Sequence, residues 1–403
     1  MEPTTRLSIL PKTLAELDLA GKRVFLRVDF NVPMEDGKIT DDTRIRGALP
    51  TIAALREKQA KIVIGSHLGR PKGKGHEPAY SMEAAAARLA ELADVEVVFA
   101  HEVVGDEVAE LSKELQPGQV MVIENLRFHP GEKDNDPEFA RQLAQLGDVY
   151  VDDAFGCMHR ADASIAGVAK HLPGGVGLLV QKEVEVLGGL LTDEGRKDRY
   201  PFAAILGGAK VSDKIGVIEA LSKRIDHLFV GGAMAYTFLA AQGIPVGSSK
   251  IEADKLDLAR ALLDKCKTRN VRVHLPIDHV VATEFAEGSP ATVVTTIPDG
   301  SMGLDIGPAT VAEWAKLLAG CRTIFWNGPM GVFEWDAFSA GTKGIAQVLA
   351  TSPANTIVGG GDSAAALAKF GLQEKVRHVS TGGGASLELL ESGDLVGLEA
   401  LRR

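Results

Sequence analysis

The chain has 403 residues, 45% hydrophobic but only 5% aromatic, enough for two or three domains whose cores are filled mainly by aliphatic side chains and glycine. Its formal net charge of −10 disfavours nucleic acid and anionic membrane as partners, yet leaves room for an anionic small molecule wherever arginines gather locally. Three scattered cysteines (Cys157, Cys266, Cys321) and no C-x-x-C argue against a disulfide framework or a zinc ribbon, and a reducing, cytoplasmic setting fits best.

In chain order, short β-branched runs alternate with stretches of helical period. Strands are predicted at 23–29, 61–66, 96–99, 120–124 and 148–151, then at 203–206, 227–230, 271–275, 323–326, 356–358 and 376–380. Several are continuously apolar, as in parallel sheets covered on both faces. Between them, Ser81 is placed to cap an Ala-rich helix to Leu92, and Asp136-Pro137 to start a helix that ends at Gly147. The stretch 252–269 is amphipathic. After Pro173-Gly174-Gly175 comes a long helical stretch, 177–191, and then a charged, Gly-containing segment, 192–199, that reads as a linker. No apolar run reaches the roughly 18 residues of a membrane span, and the N-terminal residues lack the apolar core of a secretory leader. The expected fold is α/β: two doubly wound, Rossmann-like parallel-sheet lobes joined by a long helix and hinge. The boundaries are 1–176, with 177–192 as connector and 193–392 as second lobe.

In such sheets ligands bind beyond the carboxyl ends of the strands. In the first half those ends read Asp29-Phe30-Asn31, Ser66-His67-Leu68-Gly69-Arg70, Glu124-Asn-Leu-Arg127 and Asp152-Asp153 running to His159-Arg160, with Arg44 shortly after the first. Guanidinium forks at successive strand tips make a site for phosphate or carboxylate. In the second half they read Gly207-Gly208-Ala-Lys210, with Lys214 one turn on, then Gly231-Gly232, Asn327-Gly328-Pro329, Gly359-Gly360-Gly361-Asp362-Ser363 and Gly382-Gly383-Gly384. Glycines before a helix let a phosphate approach free N–H groups and the positive end of the dipole, although tight helix–strand packing uses the same residues. Neither a Walker A sequence nor G-x-G-x-x-G is present.

Long blocks of this sequence resemble one family, phosphoglycerate kinase. They are Arg27-Val-Asp-Phe-Asn-Val-Pro33, Ser66-His-Leu-Gly-Arg-Pro71, Glu124-Asn-Leu-Arg-Phe128, Asp152-Asp-Ala-Phe-Gly156, Leu206-Gly-Gly-Ala-Lys-Val211, Trp326-Asn-Gly-Pro-Met-Gly-Val-Phe-Glu334, Gly359-Gly-Gly-Asp-Ser363 and Ser380-Thr-Gly-Gly-Gly-Ala-Ser386. The resemblance runs through essentially the whole chain. It implies reversible, Mg2+-dependent phosphoryl transfer between 1,3-bisphosphoglycerate and ADP, giving 3-phosphoglycerate and ATP, by a hinge-bending monomer whose residues 393–403 return to the first lobe. It further implies that His67, Arg70, Arg127 and Arg160 take the 3-phosphate, with Leu68 and Gly69 in the same loop, and that Asp29, Phe30 and Asn31 hold the hydroxyl and carboxylate end. Arg44 and Lys210 would attend the transferring group, and the Gly383 and Gly384 amides would stabilise its charge. Lys214, Asn327, Gly360, Gly361 and Ser363 would hold nucleotide phosphates, Glu334 the ribose, and Gly232 and Gly307 would clear space for the base. Asp362 would be the magnesium ligand, although an Asp opening a helix is also an ordinary N-cap. Cys157-Met158 and Ser363 depart from the usual residues. Two other readings stay open: a kinase for a different carboxylate, and a non-catalytic nucleotide-binding scaffold.

Overall fold

The computed structural model describes residues 10–192 and 196–402. It divides into two units, one formed by Met1–Gly188 with Gly393–Arg403 and the other by Gly189–Ser392.

The first unit is built on a six-stranded parallel sheet in the order β5-β6-β4-β1-β7-β8. Its strands are β1 (Arg23–Arg27), β4 (Lys61–Gly65), β5 (Val97–Ala100), β6 (Val120–Ile123), β7 (Val149–Asp152) and β8 (Gly174–Val176), while β2 (Met34–Glu35) and β3 (Lys38–Ile39) form a small separate hairpin. β6 and β7 are buried at every position, which is why these strands read as unbroken apolar runs. One core layer joins Val24, Leu26, Ile62, Ile64, Val120 and Val122 to Ile45, Ile52, Leu55 and Leu89 of the flanking helices. Fully burying each such side chain contributes about 1.5–3 kcal/mol.

The second unit repeats the plan in the order β11-β10-β9-β15-β16-β17. Its strands are β9 (Phe202–Leu206), β10 (His227–Val230), β11 (Arg272–His274), β15 (Thr323–Asn327), β16 (Asn355–Gly359) and β17 (His378–Val379). A second, antiparallel sheet of β12 (His279–Ala282), β13 (Thr292–Val294) and β14 (Met302–Ile306) stands beside it.

That antiparallel sheet is absent from the expected elements, as are β8 and the hairpin. β8 includes the Gly174-Gly175 pair that precedes the helix: a Cβ at Gly175 would collide with the carbonyl of Lys12, and that carbonyl accepts a 2.8 Å bond from Val176. The following helix, Leu178–Gly189, lies in the first unit up to Gly188. Asp153 fixes its start by accepting from the N–H groups of Leu179 and Val180. Part of the expected linker is a short helix, Arg196–Arg199; residues 193–195 lie outside the described residues. Two expected helix ends also shift. Ser81 stands one residue further out, accepting from Glu83 N–H before the helix Glu83–Ala93, and the helix Pro137–Ala144 closes three residues short of Gly147. Among the described residues no helix is long and apolar enough to cross a membrane.

Candidate active site

In the first unit, β6, β4, β1 and β7 are neighbours, so the loops after them converge at one edge. Asp29 accepts a 2.8 Å bond from Arg44 Nη1, and Asn31 Oδ1 accepts 2.8 Å from Gly69 N–H. Arg127 Nη1 donates 2.7 Å to the Gly69 carbonyl, tying the third strand tip to the second. Arg70 is exposed and has no partner among the described residues. Buried Nε atoms of Arg127 and Arg160 also lack hydrogen-bond partners among the described residues. Such orphaned donors are costly unless a ligand completes them. Phe30 and Leu68, expected at the substrate, are instead core residues, 0% and 2% exposed; their side chains pack with Val24 and Ile64, so any contact with a ligand must come from backbone.

Beneath the arginines lies a polar network that the sequence reading does not contain. Arg27 is fully buried; its Nε donates 2.8 Å to Ser164 Oγ, which donates 2.5 Å to Glu132, and another donor meets the Val28 carbonyl. Its Nη2 stands 3.2 Å from His67 Nδ1. A guanidinium only donates, so Nδ1 must be the acceptor and the ring proton sits on Nε2. Burial, then the positive charges of Arg27, Arg127, Arg160 and Arg44, pushes the His67 pKa well below its ordinary value. His67 is therefore a neutral Nε2–H donor at physiological pH. Nitrogen-detected NMR should show that single tautomer unchanged between about pH 5.5 and 8; a midpoint near the ordinary imidazole value of about 6.5 would contradict the assignment.

Ligand-type atoms of Asp29, His67 and Cys157 lie within 4.8 Å of one another. The surroundings disfavour a cation there. Burial pushes the Cys157 thiol up to about 12, keeping it protonated, and the guanidiniums that depress His67 would repel a metal ion as well.

In the second unit the glycine loops after β9, β10, β15 and β16 knit together. Gly208 N–H donates to the Pro329 carbonyl, Met234 N–H to the Gly208 carbonyl and Gly232 N–H to the Met330 carbonyl. Gly232 has φ +66°, and a Cβ there would stand 2.5 Å from the Gly208 backbone, so no other residue fits without moving the loop. Lys214 donates to Asn327 Oδ1, and burial lowers its pKa. The other amide atom, Asn327 Nδ2, is buried without a hydrogen-bond partner among the described residues. Ser363 is buried and accepts 2.7 Å from Gly328 N–H, so its hydroxyl braces the loop.

A cavity of about 530 Å³ opens among these loops, walled by Gly208, Gly232, Leu304 and Val332, with Glu334 and Asp362 on its lining. Phe285, 61% exposed, also lines it and packs on Trp335 with ring centroids 4.7 Å apart. The wall from Met302 to Leu304 belongs to the antiparallel sheet and went unseen in the sequence, where only the Gly307-Pro308 helix start marks its end. Lys210 is exposed and without a partner among the described residues.

Three placements bear on expectations for this half. Gly360 occupies the cap position of the helix Gly361–Lys369; Asp362 lies inside the first turn, exposed and capping nothing, so the N-cap reading does not hold. Gly383 and Gly384 open the helix Gly384–Ser392. Gly307 has a packing role: a Cβ there would strike the Asp278 carboxylate, which starts the helix Pro308–Leu318 by accepting from Ala309 and Thr310 N–H. It clears room for that carboxylate rather than for a base.

Comparison with known proteins agrees with this arrangement. The family model described as phosphoglycerate kinase matches residues 14–393. The chain is 55% identical over 394 residues to the phosphoglycerate kinase of Anaeromyxobacter dehalogenans strain 2CP-C, covering 96% of this chain and 98% of that one. Among solved structures it is similar to phosphoglycerate kinase from Coxiella burnetii (TM-score 0.86, 42% identity, 97% and 98% of the two chains) and from Pyrococcus horikoshii OT3 (0.80, 34%, 98% of each). With parallel-sheet units, an arginine-lined strand edge and a glycine-looped cavity already in view, these relatives establish that the chain belongs to the phosphoglycerate kinase family and is a kinase of glycolysis.

Proposed function

We propose that the kinase reaction, reversible transfer between 1,3-bisphosphoglycerate and ADP to give 3-phosphoglycerate and ATP, is divided between the units as their chemistry differs. The first unit holds the acid: Arg127, Arg160, Arg70 and the Nε2–H of His67 take the 3-phosphate, and Asp29 and Asn31 take the hydroxyl and carboxylate end. The second holds the nucleotide: the cavity takes the base, Glu334 the ribose, and Lys214, Asn327 and the loop amides from Gly360 to Ser363 the phosphates. The observation that carries this division is that, among the described residues, the buried donors Arg127 Nε and Arg160 Nε in one unit and Asn327 Nδ2 in the other make no hydrogen bond, each left open to an acceptor.

The accepting group in 3-phosphoglycerate phosphorylation is a carboxylate, already ionised near neutral pH. No general base is needed, and catalysis reduces to positioning and charge neutralisation by Arg44, Lys210 and the Gly383 and Gly384 amides. Transfer needs the two half-sites brought together with water excluded; the turning points are 177–192 and 382–392. The enzyme works as a cytoplasmic monomer.

Asp362 suits magnesium: it is exposed, free of protein partners among the described residues, and lines the nucleotide cavity. Magnesium prefers one carboxylate with phosphate oxygens and water over an all-protein cage, and it neutralises phosphate charge. The test is 3-phosphoglycerate with ATP and Mg2+, with 1,3-bisphosphoglycerate formation coupled to NADH consumption. Asp362→Asn should raise the Mg2+ concentration for half-maximal rate by about tenfold or more. An unchanged magnesium curve would remove Asp362 from that role.

A further inference from the structure

Asp162 is a carboxylate in the wrong place for an anion site. It is 6% exposed, and its Oδ2 is buried with no hydrogen-bond partner among the described residues. Oδ2 stands 3.9 Å from Arg160 Nε, a long ion pair too far for a hydrogen bond, and that Nε has no hydrogen-bond partner among the described residues. Its negative charge also acts on Arg127 and His159. Among the described residues its hydrogen bonds run through the backbone carbonyl, which accepts from Ile165 and Ala166. A buried carboxylate that bonds to neither neighbouring guanidinium does not hold them in position; it acts on them through charge alone.

We propose that Asp162 is a built-in counter-charge that sets the affinity of the arginine basket for the phosphate of the acid substrate. It offsets part of the positive field of Arg127 and Arg160 before substrate arrives, and repels the bound phosphate, so that 3-phosphoglycerate is released readily and simple anions compete poorly. This rests on the reading that these arginines take the 3-phosphate.

The test is Asp162→Asn, which keeps shape and removes charge. By the worth of one screened charge pair, the KM and the directly measured Kd for 3-phosphoglycerate should fall about two- to fivefold. Inhibition by inorganic phosphate should strengthen by a similar factor, and Asp162→Glu should restore the parent values. The melting temperature should not fall, since the carboxylate makes no hydrogen bond to lose. If Asp162 instead anchored the arginines, Asp162→Asn would raise KM and weaken phosphate inhibition, and that result, or no change in either, would overturn the proposal. Should Asp162→Asn fold poorly, Asp162→Ser carries the same expectation for Kd. Arg160→Ala separates the two readings. A KM for 3-phosphoglycerate unaffected by that substitution would sink the phosphate assignment itself. A raised KM there, with no gain in Asp162→Asn, would sink only the counter-charge.

Discussion

Lys210→Ala should lower kcat by about 10²–10³-fold, the typical cost of removing one preorganised group facing transition-state charge, while KM for both substrates stays within a few-fold. The expectation follows from how little Lys210 does in the protein. It is exposed after the Gly207-Gly208 pair and has no partner among the described residues, so truncation removes no packing and no internal hydrogen bond. Its neighbour Lys214 differs: part-buried and bonded to Asn327, it has a standing job in loop architecture. The melting temperature of Lys210→Ala should therefore match the parent. Steady-state kinetics showing mainly a KM effect would place Lys210 in ground-state binding and remove it from the transferring group.

Arg44→Ala should also act chiefly on kcat, by about 10²-fold or more, but with an added signature. Arg44 donates 2.8 Å to Asp29, whose side chain is 12% exposed, against 38% for Arg44. Removing the guanidinium leaves that carboxylate without its cation, at the point assigned to the hydroxyl and carboxylate of the substrate, with the Asn31 N–H as its remaining donor among the described residues. KM for 3-phosphoglycerate should then rise a few-fold while KM for ATP does not move. Arg44→Lys keeps the charge but loses the fork, so it should recover only part of the rate. A variant with unchanged kcat and a large KM effect would demote Arg44 to substrate binding.

These two residues were legible in the sequence because strand-end chemistry is local. Asp29 and Arg44 follow one strand, Lys210 follows another, and a continuously apolar strand announces where it stops. The antiparallel sheet was not legible for the opposite reason. Thr292–Val294 and Met302–Ile306 are short and contain Gly303 and Asp305, and only pairing with His279–Ala282 makes strands of them. Yet Met302, Gly303 and Leu304 help wall the cavity. Burial was likewise hidden where a partner far along the chain decides it. Arg27 reads as one more basic residue near the site, but Ser164 and Glu132, more than 100 residues on, enclose it. Phe30 sits between two site residues and still turns inward, because its N–H is held by Ser66 Oγ and its ring joins the core.

The helix Val396–Leu401 belongs to the first unit: Gly397 N–H donates to the Met158 carbonyl, Leu398 is 1% exposed, and a Cβ at Gly397 would crowd Ile165 and Met158. During synthesis the segment that completes this unit leaves the ribosome about 200 residues after the rest of it, roughly 10–40 s later at about 5–20 residues per second. Until then the apolar patch around Met158 and Ile165 lacks its cover. The second unit therefore has all its elements before the first is finished.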